Sequence, residues 1–406
     1  PYLSRGLGDV YKRQARTRTR TRHGTNGGAL QRFPCSRLRK NLPDTHGERC
    51  EAPTRSAASV NEGFTWPYPA VATGIGSMPG IDSREATNIV VGEFGAVPHV
   101  VELPSRGPGG DPVGRTAAML AGVDRTFEVE TTVRGWRLGH TGQAALRRAR
   151  AWLSEDLDSF EEYAASHRGP VKVHMLGPWS TAARIEDAAG ESLIRDHGAV
   201  AEISGAAVEA ASELTARVQR AVPAGQVIVH IEEPDLSRVL DGRVPMSSGR
   251  LFHRAVEPAV VQAHLSIIVN AVVAANAVAC VRCAAPGAPV ELMLGTGARV
   301  IGIDIEQPMR SASAHESLLG AWESGVGLLL SCVPAQIDVS RSDTGVSAPL
   351  RRLMERAGFA QVPSNVAISP TSGLAHLSPE GARTVMDACT RVGVVVRDEH
   401  SEPVHG

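Results

Sequence analysis

From Trp66 onward, short apolar runs alternate with longer stretches whose apolar residues recur three and four positions apart. The runs are Val71–Ile75, His99–Glu102, Val171–Met175, Val227–Ile231, Ala277–Val281, Val300–Ile303, Gly327–Ser331 and Val366–Ile368. Short aliphatic runs without polar alternation read as strands buried on both faces, as in a parallel sheet. The stretches between them read as helices. Asp82-x-x-Glu85 has the form of a capping box, and Asp111-Pro112 pairs an N-cap with proline at the first helical position. Ser192 to Val222 is long and alanine-rich, and Ser378-Pro379-Glu380 opens the last helix. Eight strand–helix units predict an α/β fold, a (β/α)8 TIM barrel over residues 64–399. A doubly wound open sheet would want a glycine-rich dinucleotide turn after an early strand. Gly107-Pro108-Gly109-Gly110 has the wrong spacing and reads as a plain turn.

The rhythm is missing before it. Residues 1–63 hold the run Arg16-Thr17-Arg18-Thr19-Arg20-Thr21-Arg22 and little apolar periodicity. Such a segment cannot bury enough surface to offset its ordering entropy and is expected to be disordered. Basic residues far outnumber acidic ones up to Arg55, so the remainder is acidic although the whole chain is near neutral. No aromatic interleaving accompanies the basic run, which argues against nucleic acid as a partner. No apolar run reaches the roughly 18 residues of a membrane span. The six cysteines are too sparse for a disulfide framework, and Cys280, Cys283, Cys332 and Cys389 fall in predicted core elements. A reducing cytoplasm is the expectation.

A barrel places its chemistry just past the carboxyl ends of its strands. The run Val227-Ile228-Val229-His230-Ile231 ends there in Glu232-Glu233-Pro234, and glutamate is rarely buried without a partner. Successive strand residues point to opposite faces, so Glu232 and Glu233 have different surroundings. The first strand ends in Gly74-Ile75-Gly76-Ser77-Met78-Pro79-Gly80, where glycines let backbone amides approach an anion. The other ends supply Glu102, His174, Cys280 with Cys283, Asp304 with Glu306, Cys332, and Thr371-Ser372-Gly373. Each has a plain alternative as a core cysteine, a satisfied histidine or a paired carboxylate. Trp136 reads as a packing aromatic or as a platform for a flat ligand.

Three segments together resemble the carboxyl-terminal catalytic barrel of the cobalamin-independent methionine synthase family. They are Thr73-Gly74-Ile75-Gly76-Ser77-Met78-Pro79, Ile231-Glu232-Glu233-Pro234-Asp235-Leu236 and Ile368-Ser369-Pro370-Thr371-Ser372-Gly373-Leu374. The resemblance implies a methyltransferase that moves a methyl group to the thiol of homocysteine with the help of zinc. It implies that the Ile75 backbone and Ser77 take the amino-acid carboxylate, that Glu102 and Glu232 take the ammonium, and that His174 and Glu232 serve catalysis. Two carboxylates around one ammonium repel each other without it, so one pKa should rise. For zinc the resemblance points to Cys280, Cys283 and Asp304, with Cys332 as a further thiol. The chain departs from the family there. Cys280-Val281-Arg282-Cys283 stands at its His-x-Cys pair, Asp304 at its glutamate, and Thr371 or Ser372 at its last cysteine. Arg282 in a metal site would repel the cation. The full-length enzymes carry a second barrel that takes part in folate binding, so the donor stays open between methyl-folate and a corrinoid protein. Two alternatives remain: a metal-free amino-acid-binding barrel, and a decarboxylase of the uroporphyrinogen type. The latter would want arginines near the first strand end, where none precedes Arg84.

Overall fold

The computed structural model describes residues 63–140, 144–336, 343–359 and 361–399, all within the unit Ser59–Gly406. Apart from Gly63, the expected disordered segment lies outside the described residues. Ten strands are present: β1 (Val71–Ala72), β2 (Val129–Thr132), β3 (Gly135–Leu138), β4 (Pro170–Leu176), β5 (Ile185–Glu186), β6 (Gln226–Glu232), β7 (Val278–Cys283), β8 (Val300–Asp304), β9 (Gly327–Val333) and β10 (Val366–Pro370). Seven form one curled parallel sheet in the order β1-β10-β9-β8-β7-β6-β4. Between them run α1 (Ser83–Glu93), α2 (Pro112–Val123), α3 (Ala144–Ala164), α4 (Pro178–Arg184), α5 (His197–Ala221), α6 (Leu236–Leu240), α7 (Pro258–Ala274), α8 (Val290–Gly295), α9 (Ala312–Glu323) and α10 (Asp343–Ala357), and α11 (Pro379–Glu399) follows the last strand.

Seven of the eight expected strands thus form a ladder. The eighth, 99–102, is reduced to two isolated parallel bridges, His99 with Lys172 and Ser77 with Glu102. Its backbone still joins both edges of the sheet. The Lys172 amide donates to the Pro98 carbonyl, the Val100 amide to Lys172, the Glu102 amide to Gly76, and the Met78 amide to Glu102. Prolines at 98 and 104 lack an N–H and limit the segment to this short pairing. The small sheet β2-β3-β5 was not expected from the sequence. Its strands are four residues or fewer, below what a periodicity argument resolves. The helix starts follow their signals. Asp82 accepts from the amides of Arg84 and Glu85, and Asp111 from that of Gly114. The stretch expected as one helix from Ser192 instead opens with a 3-10 turn, Leu193–Arg195, before α5. No helix among the described residues is long and apolar enough to cross a membrane.

Strand alternation sorts the side chains into two sets. Outward residues such as Val227, Val229, Ile231, Val281, Cys283, Leu330 and Cys332 belong to the large core shared with the helices. Inward residues Val71, Val97, Ile228, Val278, Cys280, Val300, Leu329 and Ala367 pack with Phe64 and Trp66 as a dry floor. Phe64 and Trp66 meet edge to face at 4.9 Å, and their amides bond to the Gly325 and Ser364 carbonyls at the amino ends of β9 and β10. Replacing Phe64 by alanine leaves a cavity in this floor. It is expected to lower stability by about 3–5 kcal/mol in urea denaturation, whereas a loss under about 1 kcal/mol would mean that the floor is not part of the cooperative core.

Candidate active site at the strand ends

Above the floor the inward positions turn polar. Lys172 and His174 come from β4, His230 and Glu232 from β6, Arg282 from β7, Asp304 from β8, Ser331 from β9 and Ser369 from β10, and all but the partly exposed Glu232 are buried. A cavity of about 370 Å³ opens over them, lined among others by Ile75, Ser77, Glu102, His174, Glu232 and Arg282. Thr371, Ser372 and Gly373 close another side of it. The three segments that carry the family resemblance therefore meet at one cavity. A larger cavity, about 550 Å³, lies beside the small sheet and shares only Arg184 with it. Trp136 belongs there, buried in β3 with its indole N–H on Asp111.

Arg282 is the central group. Its Nη1 donates to Glu232 Oε1 at 2.6 Å, and its Nη2 donates to Ser331 Oγ at 3.0 Å and to the Thr371 carbonyl at 3.2 Å. The aliphatic part of its side chain lies over Gly302, where any Cβ would come within 2.7 Å of Arg282 Cγ. On its other side Glu232 Oε2 is 2.9 Å from His230 Nε2. Burial alone would raise the Glu232 pKa, but Arg282 and His230 overcome it and bring it down to about 2. Glu102 moves the other way. Burial raises its pKa, against the pull of Arg115 and a hydrogen bond from Ser77, with Glu232 adding a smaller push upward. The expected rise of one carboxyl is present, but burial rather than repulsion is its chief cause. Gly76, at φ +105°, allows this approach, since a Cβ there would stand 3.1 Å from both Glu102 Oε2 and His174 Nδ1.

His99, His174 and His230 form a column, His99 edge to face with His174 at 5.5 Å between ring centroids and His174 tilted against His230 at 4.7 Å. Burial, aided by Lys172, holds His99 at about 3, and burial holds His230 at about 4. His174 lies well below its usual value for the same reason, with His230 adding to it. Both His174 ring nitrogens are buried without a hydrogen-bond partner. Lys172 Nζ donates to the Gly74 carbonyl at 2.6 Å, and burial lowers it to about 7. Among the residues lining the cavity, the amides of Ile75, Ser77, Ser372 and Gly373 make no hydrogen bond within the protein.

The metal expectation fails on geometry. Cys280 points into the dry floor, while Cys283 faces outward beside Ser237, with Sγ and Oγ 3.8 Å apart. Cys332 also faces outward. Asp304 is turned to its own loop, accepting from the Glu306 amide at 2.9 Å. Among the described residues no group of three or more His, Cys, Asp or Glu is placed to hold a metal ion, and Cys280, Cys283 and Asp304 are not brought together. The physical reason is strand alternation: residues 280 and 283 differ by an odd number and so leave opposite faces of β7. Burial also raises the Cys280 and Cys283 thiols to about 12 and about 11, away from the thiolate a metal needs.

Several groups of the site were not anticipated. Arg115 on α2 reaches toward Glu102, its Nε 3.9 Å from Oε1, and is held by Asp156 of α3, which Arg106 also binds at 3.0 Å. No short-range pattern links these positions. His230 and Lys172 stood inside apolar runs, and their polarity there was the signal. Cavity arginines do occur, Arg282 and Arg184, but from β7 and α4 rather than from the first strand end.

No family model matches the chain, and no curated protein matches it by sequence. Among solved structures, a B12-independent methionine synthase from Shewanella sp. W3-18-1, in complex with selenomethionine, aligns with TM-score 0.51 and 12% identity. The alignment covers 81% of this chain and 98% of that one. An oxaloacetate acetylhydrolase in complex with oxalate aligns with TM-score 0.33 and 12% identity over 79% of this chain and 89% of that one. The likeness to the methionine synthase is one of fold.

Glu233 sits behind the site. Its carboxyl accepts from the amides of Trp179 and Ser180 at the start of α4 and from Ser180 Oγ, at 3.0, 2.7 and 2.6 Å. Burial nevertheless raises its pKa to about 7. A carboxyl raised on folding stabilises the protein fully below its unfolded pKa, and that contribution is lost as pH rises toward the folded value. Stability should therefore fall between the ordinary carboxylate range and about pH 7. Glu233→Gln is expected to flatten this part of the profile of melting temperature against pH; an unchanged slope would assign it to another group.

Proposed function

We propose that the cavity at the strand ends binds a small α-amino acid and does so without a metal ion. The observation that carries this reading is the pairing of free amides on four lining residues with a buried carboxyl in one cavity. The amides of Ile75, Ser77, Ser372 and Gly373 would take the ligand carboxylate, as backbone concavities do for anions. Glu102, oriented by Ser77, would take the ammonium. Glu232 is already neutralised by Arg282, so it contributes less to the ammonium than the resemblance implied. An arriving ammonium favours the charged form of Glu102 and draws its raised pKa down. Titration calorimetry with L-amino acids should show saturable binding. Glu102→Gln should weaken it by about tenfold or more, the scale of one charge-assisted hydrogen bond. Absence of heat with every amino acid tried, homocysteine included, would remove the reading.

A second reading has its own support, the convergence of the three family-like segments on this cavity. It makes the bound amino acid a thiol and the reaction a methyl transfer to sulfur from a methyl-folate or a corrinoid protein. The methyl group leaves the donor as its bond to nitrogen or cobalt breaks, with the electron pair staying on the donor. A carbon–sulfur bond forms, and the thiol proton has to leave. His174 is the base available, because it lines the cavity and both its ring nitrogens are unpartnered. Its depressed pKa makes it a weak base, so a slow reaction is expected. Homocysteine supplied with either donor should yield methionine at a rate that a metal chelator does not change. No methionine from either donor would sink this reading and leave the first in place.

A further inference from the structure

A guanidinium carries five N–H groups in a rigid plane and stays charged at every physiological pH. In Arg282 three of its contacts are made inside the protein: Nη1 to Glu232, and Nη2 to Ser331 and Thr371. One Nη1 hydrogen and the Nε hydrogen remain, and Nε is buried without an acceptor. The residue lines the same cavity as the free rim amides and Glu102. It cannot swing away easily, because its stem rests on Gly302 and its head is tied to three separate elements. The cavity therefore contains a fixed cation with unused donors.

The chemistry of that cation differs from a metal's. A zinc ion binds a thiolate strongly, whereas a guanidinium favours planar oxygen acceptors and gains little from sulfur. The hydroxyls of Ser77, Thr371 and Ser372 stand on the cavity wall as well. We propose that Arg282 is the specificity-determining residue of this pocket: it takes a terminal oxygen of the ligand side chain, so that amino acids ending in a carboxylate or a carboxamide bind in preference to those ending in a thiol or thioether. The inference rests on the amino-acid reading above and names the class of ligand within it. Glu232 is the positioning residue for Arg282, fixing one edge of the guanidinium at the cavity wall.

The test compares glutamate, glutamine, aspartate and asparagine with methionine and homocysteine by titration calorimetry on the full chain, with zinc added and with zinc chelated. At least one oxygen-ended ligand is expected to bind about tenfold or more tightly than methionine, and zinc should change nothing. Arg282→Met removes one partner of a buried ion pair and can fail to fold. The double variant Arg282→Met with Glu232→Gln leaves no uncompensated charge and keeps the test valid. In it the preference should vanish while some binding of methionine persists. Arg282→Lys should retain part of the preference. Methionine or homocysteine binding as tightly as the oxygen-ended ligands, or a preference that survives in the double variant, would each overturn the inference alone, whereas binding that requires zinc would overturn it together with the metal-free reading above. No binding by any of the six would remove the amino-acid reading and this inference with it.

Discussion

The ion pair between Arg282 and Glu232 organises the polar half of the interior enclosed by the curled sheet. Two opposite charges taken out of water offset their desolvation only when geometry and further hydrogen bonds are good. Here Arg282 is bonded to β6, β9 and the loop after β10, and the His230 ring stands 2.9 Å from the second oxygen of Glu232. The pair thus ties strands from opposite parts of the sheet to one point. It also sets the charge state of the neighbours. Glu232 stays ionised far below neutral pH, and the column of three histidines stays neutral because burial, next to Lys172 and Arg282, leaves no room for another positive charge.

The interior is graded along the strands. At the amino ends an apolar floor, sealed by Phe64 and Trp66, excludes water. Beyond it the inward positions carry Lys172, the histidines, Arg282, Glu232 and Asp304, with Glu102 beside them. Charges in this low-dielectric interior act on one another with little screening. That arrangement explains why Glu102 and Glu232, two glutamates lining one cavity, are driven in opposite directions. One has a guanidinium in direct contact; the other has Arg115 only at 3.9 Å and is ruled by burial.

The order of elements could be read from the chain because it depends on local periodicity. Apolar runs of three to five residues separated by capped helices leave little choice but a parallel sheet wrapped in helices. The N-caps Asp82 and Asp111 act within their own turns, so they too could be read. The small sheet could not, since β5 follows β3 by some fifty residues and pairs with it through only two. Which residues ring the cavity was partly legible: Ile75, Ser77, Glu102, His174 and Glu232 all line it. Cys280 and Cys283 were expected together only from the family resemblance, and β7 sends them to opposite sides.

By itself the sequence determined the alternation of strands and helices, the facing of each strand residue, and the clustering of acids, glycines and hydroxyls at the carboxyl ends. These follow from backbone geometry with a period of two or of 3.6 residues, and need no knowledge of neighbours. Only the tertiary structure decided what those groups do to one another. It brought Arg282 onto Glu232, left the rim amides free, and set Arg115 and Asp156 behind Glu102. Charge interactions depend on distance and burial, and both arise only when strands far apart in the chain close around a common interior.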